Sequence, residues 1–138
     1  MNNLQDVIDY IFFYESSKQR AVNKLRLQKL LYFIQVDFLI NFKEPCFENE
    51  MEAWDFGPVV PEAYFKYISV LPLNCIYKGE DKDLKGKGNI TEVLEACSNY
   101  TIRELVDISI NNIWYKIAKN RPDKKINIQH ILDYYKED

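Results

Sequence analysis

The sequence predicts a mainly α fold, a compact helical domain with one small β-hairpin-like element. Three observations lead there. Apolar residues recur at helical spacing in most segments, the pattern switches to period two after Pro45, and prolines and a glycine-rich stretch punctuate the rest. At 138 residues the chain is read as a single unit, residues 1–138, long enough to bury a hydrophobic core.

Leu4, Val7, Ile8 and Ile11 predict a first helix over Asn3 to Glu15. The next periodic segment runs from Val22 to Asn41. Leu27, Leu30, Leu31, Ile34 and Phe38 form one stripe; Leu25, Tyr32, Val36 and Leu39 form a second on nearly the opposite side. A helix apolar on two faces belongs at the centre of a fold. Gln28 and Gln35 fall between the stripes.

From Phe47 a strand is expected, with Phe47, Met51 and Ala53 inward and Glu48, Glu50 and Glu52 outward. Trp54 then lies on the glutamate side. Asn74 to Tyr77 is the candidate pairing strand. Pro61 opens a helix at the position proline tolerates best, with Tyr64, Tyr67, Ile68 and Leu71 as its buried stripe and Pro72 as its stop. Gly79 to Gly88 reads as a mobile surface loop, followed by a helix from Thr91 to Cys97. Thr101 and Glu104 form a capping box for a helix whose inner stripe is Ile102, Leu105, Val106 and Ile113, with Trp114 beside it. Asn127 caps a last helix carrying Ile128, Ile131, Leu132 and Tyr135.

Composition narrows the function. The net charge of −3 argues against indiscriminate binding to nucleic acid or anionic membrane. Cys46, Cys75 and Cys97 are far apart and odd in number, which reads as free thiols in a reducing cytoplasm. No apolar run approaches the roughly 20 residues of a membrane span, and the polar N-terminus does not read as a secretory signal. A soluble, cytoplasmic protein without metal or cofactor is expected.

Chemistry-bearing patterns are weak. Gly86-Lys87-Gly88 neither follows a strong strand nor opens a phosphate-binding helix, so it reads as linker. Glu52 and Asp55 are the nearest carboxylate pair, and a solvated strand face with a turn aspartate explains them better than acid–base work. His130, the only histidine, has no evident thiol to activate and no metal-ligand spacing around it. Lys18, Arg20, Lys24, Arg26 and Lys29 cluster near Tyr32, and a solvated, charge-balanced face accounts for them better than nucleic-acid contact. What stands out is the bend from Glu52 to Tyr64, where Trp54 and Phe56 flank Gly57-Pro58. Its rings either pack inward around a chain turn or dock a protein partner, and the pattern leaves both open.

Leu25-Arg26-Leu27-Gln28-Lys29-Leu30-Leu31-Tyr32-Phe33-Ile34-Gln35, then Phe47, then Glu52-Ala53-Trp54-Asp55-Phe56-Gly57-Pro58-Val59-Val60-Pro61-Glu62-Ala63-Tyr64 resemble the Panacea domain of SocA-like and GepA-like phage-associated proteins. The likeness is strongest from Leu25 to Tyr67 and continues through Glu104-Leu105-Val106 to Trp114. It implies a mostly helical fold and antitoxin activity, with a cognate protein toxin encoded by a neighbouring gene as the partner. Many such toxins block translation, and at least one branch of the family delivers its toxin to a cytosolic protease; a proteolytic adaptor and a phage-encoded inhibitor of a host or defence protein are the alternative readings. It implies no catalytic residues. Where relatives often carry a histidine and a proline before the tryptophan, this chain has Ser109 and Ile113. By the resemblance, Gln28, Lys29, Tyr32 and Gln35 of the central helix, with Trp54, Asp55, Phe56, Gly57, Pro58, Val59 and Tyr64 of the bend, form or support the toxin-facing surface.

Overall fold

A computed structural model describes residues 1–67 and 78–136. Two helices lead: α1 (Leu4–Ser17) and α2 (Lys24–Phe42). A two-stranded antiparallel sheet follows, β1 (Glu52–Trp54) and β2 (Gly57–Val59), then α3 (Pro61–Tyr67), α4 (Lys87–Cys97), α5 (Ile102–Ile110), α6 (Ile113–Lys119) and α7 (Ile128–Tyr134).

Four of the helices, α1, α2, α5 and α7, begin where a side chain satisfies free backbone N–H groups. Asn3 accepts from the amides of Gln5 and Asp6, and Asn23 accepts from that of Arg26 at 2.8 Å. Thr101 and Glu104 form the reciprocal capping box, and Asn127 accepts from Gln129 N. Because α2 is apolar on two sides, it packs against β2, α3, α4, α5 and α7. Leu27, Leu30, Leu31, Ile34, Phe38 and Leu39 are buried there. Each such side chain contributes about 1.5–3 kcal/mol by leaving water. At the end of α1 the buried Glu15 is matched by Arg20, whose Nε donates to its carboxylate at 2.6 Å.

The register pairs Glu52 with Val59, Ala53 with Pro58 and Trp54 with Gly57, leaving Asp55 and Phe56 as the two-residue turn. Gly57 closes it with φ +111°, a backbone that side-chain-bearing residues rarely adopt. The outer edge of β1 is covered in turn. Ala53 N donates to Lys124 O at 2.7 Å and Ile126 N to Met51 O at 2.9 Å.

Several sequence expectations change. The strand is shorter than expected, beginning only at Glu52, although Phe47, Met51 and Ala53 are buried and Glu48 and Glu50 exposed. Its partner is β2, next in the chain; Asn74 to Tyr77, like Ile68, Leu71, Pro72 and Cys75, lies outside the described residues. The stretch from Gly79 to Gly88 is strapped down rather than a free surface loop. Leu84 is buried, Glu80 N donates to Asp9 O, Lys85 N donates to Asn2 Oδ1, and α4 already begins at Lys87. Ile113 is half exposed because the chain turns at Asn111 and Asn112 and restarts as α6 with a new phase. No helix among the described residues is long and apolar enough to cross a membrane.

Candidate protein-binding site

The hairpin turn brings four aromatic rings together. Trp54 packs edge-on against Tyr64 at a centroid distance of 4.9 Å, and lies 5.9 Å from Phe56 and 6.0 Å from Phe65. Tyr64 meets Phe65 at 5.5 Å. Trp54, Phe56 and Tyr64 are half-buried, whereas Phe65 is 65% exposed. The rings cover one another and still present apolar area to solvent. Beside them, Lys24, Leu25, Gln28, Phe56 and Tyr64 line a mostly apolar cleft of about 250 Å³.

α2 carries a buried polar scaffold, of which Gln28 and Lys29 reach the hairpin. Gln28 Oε1 accepts from Val60 N at 2.7 Å, just past the end of β2. Gln35 accepts from Cys46 N at 2.8 Å and donates to Phe47 O at 2.9 Å, clamping the chain that enters the strand. Tyr32 Oη accepts from Trp114 Nε1 at 2.9 Å and Asn112 Nδ2 at 3.0 Å, tying α2 to the start of α6. Each bond satisfies a group that burial would otherwise strand at a cost of about 1–3 kcal/mol.

Lys29 is the unusual member. Its side chain is fully buried, and its Nζ donates to Pro58 O at 3.0 Å and lies 5.7 Å from the centre of the Phe56 ring. Among the described residues no carboxylate comes within ion-pair reach of it. Loss of hydration therefore lowers its pKa from 10.5 to about 7. A Cβ on residue 57 would displace Lys29 Nζ and come within 2.9 Å of Ser109 Oγ, and its φ of +111° favours glycine whatever the space.

The residues expected to act together thus divide by depth. Gln28, Lys29, Tyr32, Gln35, Gly57, Pro58 and Val59 are buried; Gln28 and Lys29 reach the hairpin, whereas Tyr32 and Gln35 bond elsewhere, to α6 and to Cys46–Phe47. Trp54, Asp55, Phe56 and Tyr64 reach the surface. Tyr64 is therefore not the enclosed core ring its spacing suggests, because α3 turns it toward Trp54. Phe65 joins the group without having been singled out; an aromatic directly after Tyr64 on a helix opened by Pro61 was the available signal. Tyr115 was also missed, and its hydroxyl donates to Trp54 O.

Glu52 and Asp55 turn to different partners. Glu52 Oε1 accepts from Trp54 Nε1 at 2.9 Å, whereas Asp55 pairs with Lys119, which holds its carboxyl below the usual range. Burial pushes the Cys46 and Cys97 thiols up to about 11, away from the thiolate form that reacts. The basic cluster is also dispersed. Arg20 serves Glu15 and Glu95, Arg26 donates to Cys97 O and Tyr100 O, and Lys29 is inside.

Together these features define a helical protein with an aromatic hairpin corner braced from below by a central helix. The chain belongs to the family described as Antitoxin SocA-like, Panacea domain, which matches residues 27–115. That range takes in α2, the hairpin, α3 to α5 and the start of α6. A similar curated protein is Antitoxin SocA of Caulobacter vibrioides (strain NA1000 / CB15N), 38% identical over 63 residues. The matched stretch is 46% of this chain and 34% of that relative, so the chain spans well under two thirds of its length. No solved structure matches significantly.

Proposed function

We propose that this chain is the antitoxin of a two-gene toxin–antitoxin system, carried on a prophage or similar element, and that it neutralises a toxin encoded beside it by direct binding in the cytoplasm. It acts as one unit over residues 1–138, without catalysis and without a cofactor. The docking surface is the corner of Trp54, Asp55, Phe56, Tyr64 and Phe65. Gln28, Lys29, Tyr32, Gln35, Gly57, Pro58 and Val59 hold it in shape.

One observation carries this reading: in a chain of an antitoxin family, four clustered rings stay partly exposed where the hairpin meets α3, and buried hydrogen bonds from α2 fix the second strand of that hairpin. A preformed aromatic surface loses little entropy on binding, and a central ring anchor is worth about 2–4 kcal/mol.

The test is co-expression. The neighbouring gene alone should arrest growth, and this chain should restore it. Trp54→Ala and Phe56→Ala should abolish rescue while a cooperative thermal melt persists. A melt lost in both variants would assign the rings to the core. Rescue that disappears in a protease-deficient host would replace occlusion by proteolytic delivery.

A further inference from the structure

Resting on that reading of the corner, we propose that its Trp54–Phe65 side receives arginine side chains of the partner, which therefore presents a basic polypeptide surface there. The guanidinium would stack on the exposed rings and bond to Glu52 and Glu62.

Position comes first. Glu52 and Trp54 are two apart on β1 and so share one face, and the indole N–H holds the Glu52 carboxylate at 2.9 Å. Glu62 and Phe65 are three apart on α3 and are neighbours on its surface. Trp54 and Phe65 meet at 6.0 Å, so the strand that carries Glu52 and the helix that carries Glu62 join at these rings, with Glu62 also lining the cleft toward Gln5 and Lys66.

Charge comes second. Neighbouring acids are already neutralised, Glu50 by Lys125 and Asp55 by Lys119. Glu52 and Glu62 have no ion pair among the described residues. Of the cations nearby, Lys125 is bridged to Glu52 through the backbone and feels its charge, but its ammonium pairs with Glu50; Lys24 lines the cleft on the Leu25–Phe56 side, and Lys66 donates to Gln5. Lys29 lies by the Phe56 ring from within, while no cation lies over Trp54 or Phe65 among the described residues. A part-exposed Trp54 and a 65% exposed Phe65, beside carboxylates that lack an ion pair among the described residues, complement a planar cation that can stack and hydrogen-bond at once. Arginine does both; the ammonium of lysine cannot make the forked bond.

The intact protein can be titrated with nona-arginine, nona-lysine and nona-glutamate while tryptophan emission is followed. Trp114 is buried, so the response reports Trp54. Nona-arginine should change the emission saturably and bind about fivefold more tightly than nona-lysine. Glu52→Gln with Glu62→Gln should weaken it about tenfold. Glu92→Gln with Asp133→Asn, which changes net charge equally, should leave it within about twofold. Equal losses in the two double variants, no preference for arginine, or binding of nona-glutamate would overturn the assignment. Co-expression separates the two levels. If Glu52→Gln with Glu62→Gln still rescues while Trp54→Ala does not, the docking corner stands and arginine recognition falls. If both rescue, the docking corner itself is refuted.

Discussion

Replacing Lys29 by methionine tests the physical account of the corner from below. The ammonium is buried with one acceptor, Pro58 O, and no carboxylate, so the fold favours the neutral amine and its pKa falls from 10.5 to about 7. The sign follows from proton uptake. Between these two values the unfolded chain binds a proton that the folded chain binds weakly, so this group's contribution to stability rises with pH across that window. It is complete above about pH 10.5 and falls away as pH drops toward 7, at about 1.4 kcal/mol per pH unit. At pH 7 the lysine then costs roughly 4 kcal/mol. Lys29→Met removes that cost but leaves Pro58 O without its donor, a loss of about 1–3 kcal/mol. The variant should be more stable than the native chain by about 2 kcal/mol at pH 7. By pH 9.5 the difference should have moved about 3 kcal/mol in favour of the native chain. Urea denaturation followed by circular dichroism, under reducing conditions and at several pH values, measures this directly. A stability difference that does not change with pH would refute the reasoning, since it would mean that the amine holds the same charge in both states.

Three further outcomes follow from particular contacts. Gly57→Ala should cost about 2 kcal/mol or more in denaturation experiments, and should do so even beside Lys29→Ala, because the strain of φ +111° persists when the amine is gone. Tyr32→Phe should cost about 1–3 kcal/mol, since the buried Trp114 indole N–H loses its acceptor; a red-to-blue change in Trp114 emission would report the same loss. Thr101→Ala should cost about 1 kcal/mol by opening the capping box of α5, with no effect on rescue.

Local signals made much of this fold legible. The α1 stripe, the two-faced α2 and the caps at Thr101 and Asn127 depend on residues within a few positions of one another, and they stand where periodicity and capping chemistry put them. The strand partner was harder. β2 is three residues long and has Pro58 at its centre, a residue that argues against a central strand and is tolerated only at an edge, a strand start or a bulge. Its pairing rests on the positive φ of Gly57 and on the side chains of Gln28 and Lys29 from another element. The depth of those side chains was hidden for a related reason. Glutamine and lysine read as surface residues by type, yet a helix enclosed on both apolar faces has little surface left, and short strands need acceptors and donors that only such residues supply. Ile113 misled because one periodic run spans two helices, broken at Asn111 and Asn112.

The central claim is that this chain grips its partner through the braced corner of Trp54, Asp55, Phe56, Tyr64 and Phe65. Hydrogen–deuterium exchange of the chain with and without the neighbouring gene product tests it most directly. The account predicts slowed exchange over residues 52–56 and 61–66, with α7 unchanged. Tight binding that protects α7 or α4 and leaves the hairpin and α3 untouched would contradict it.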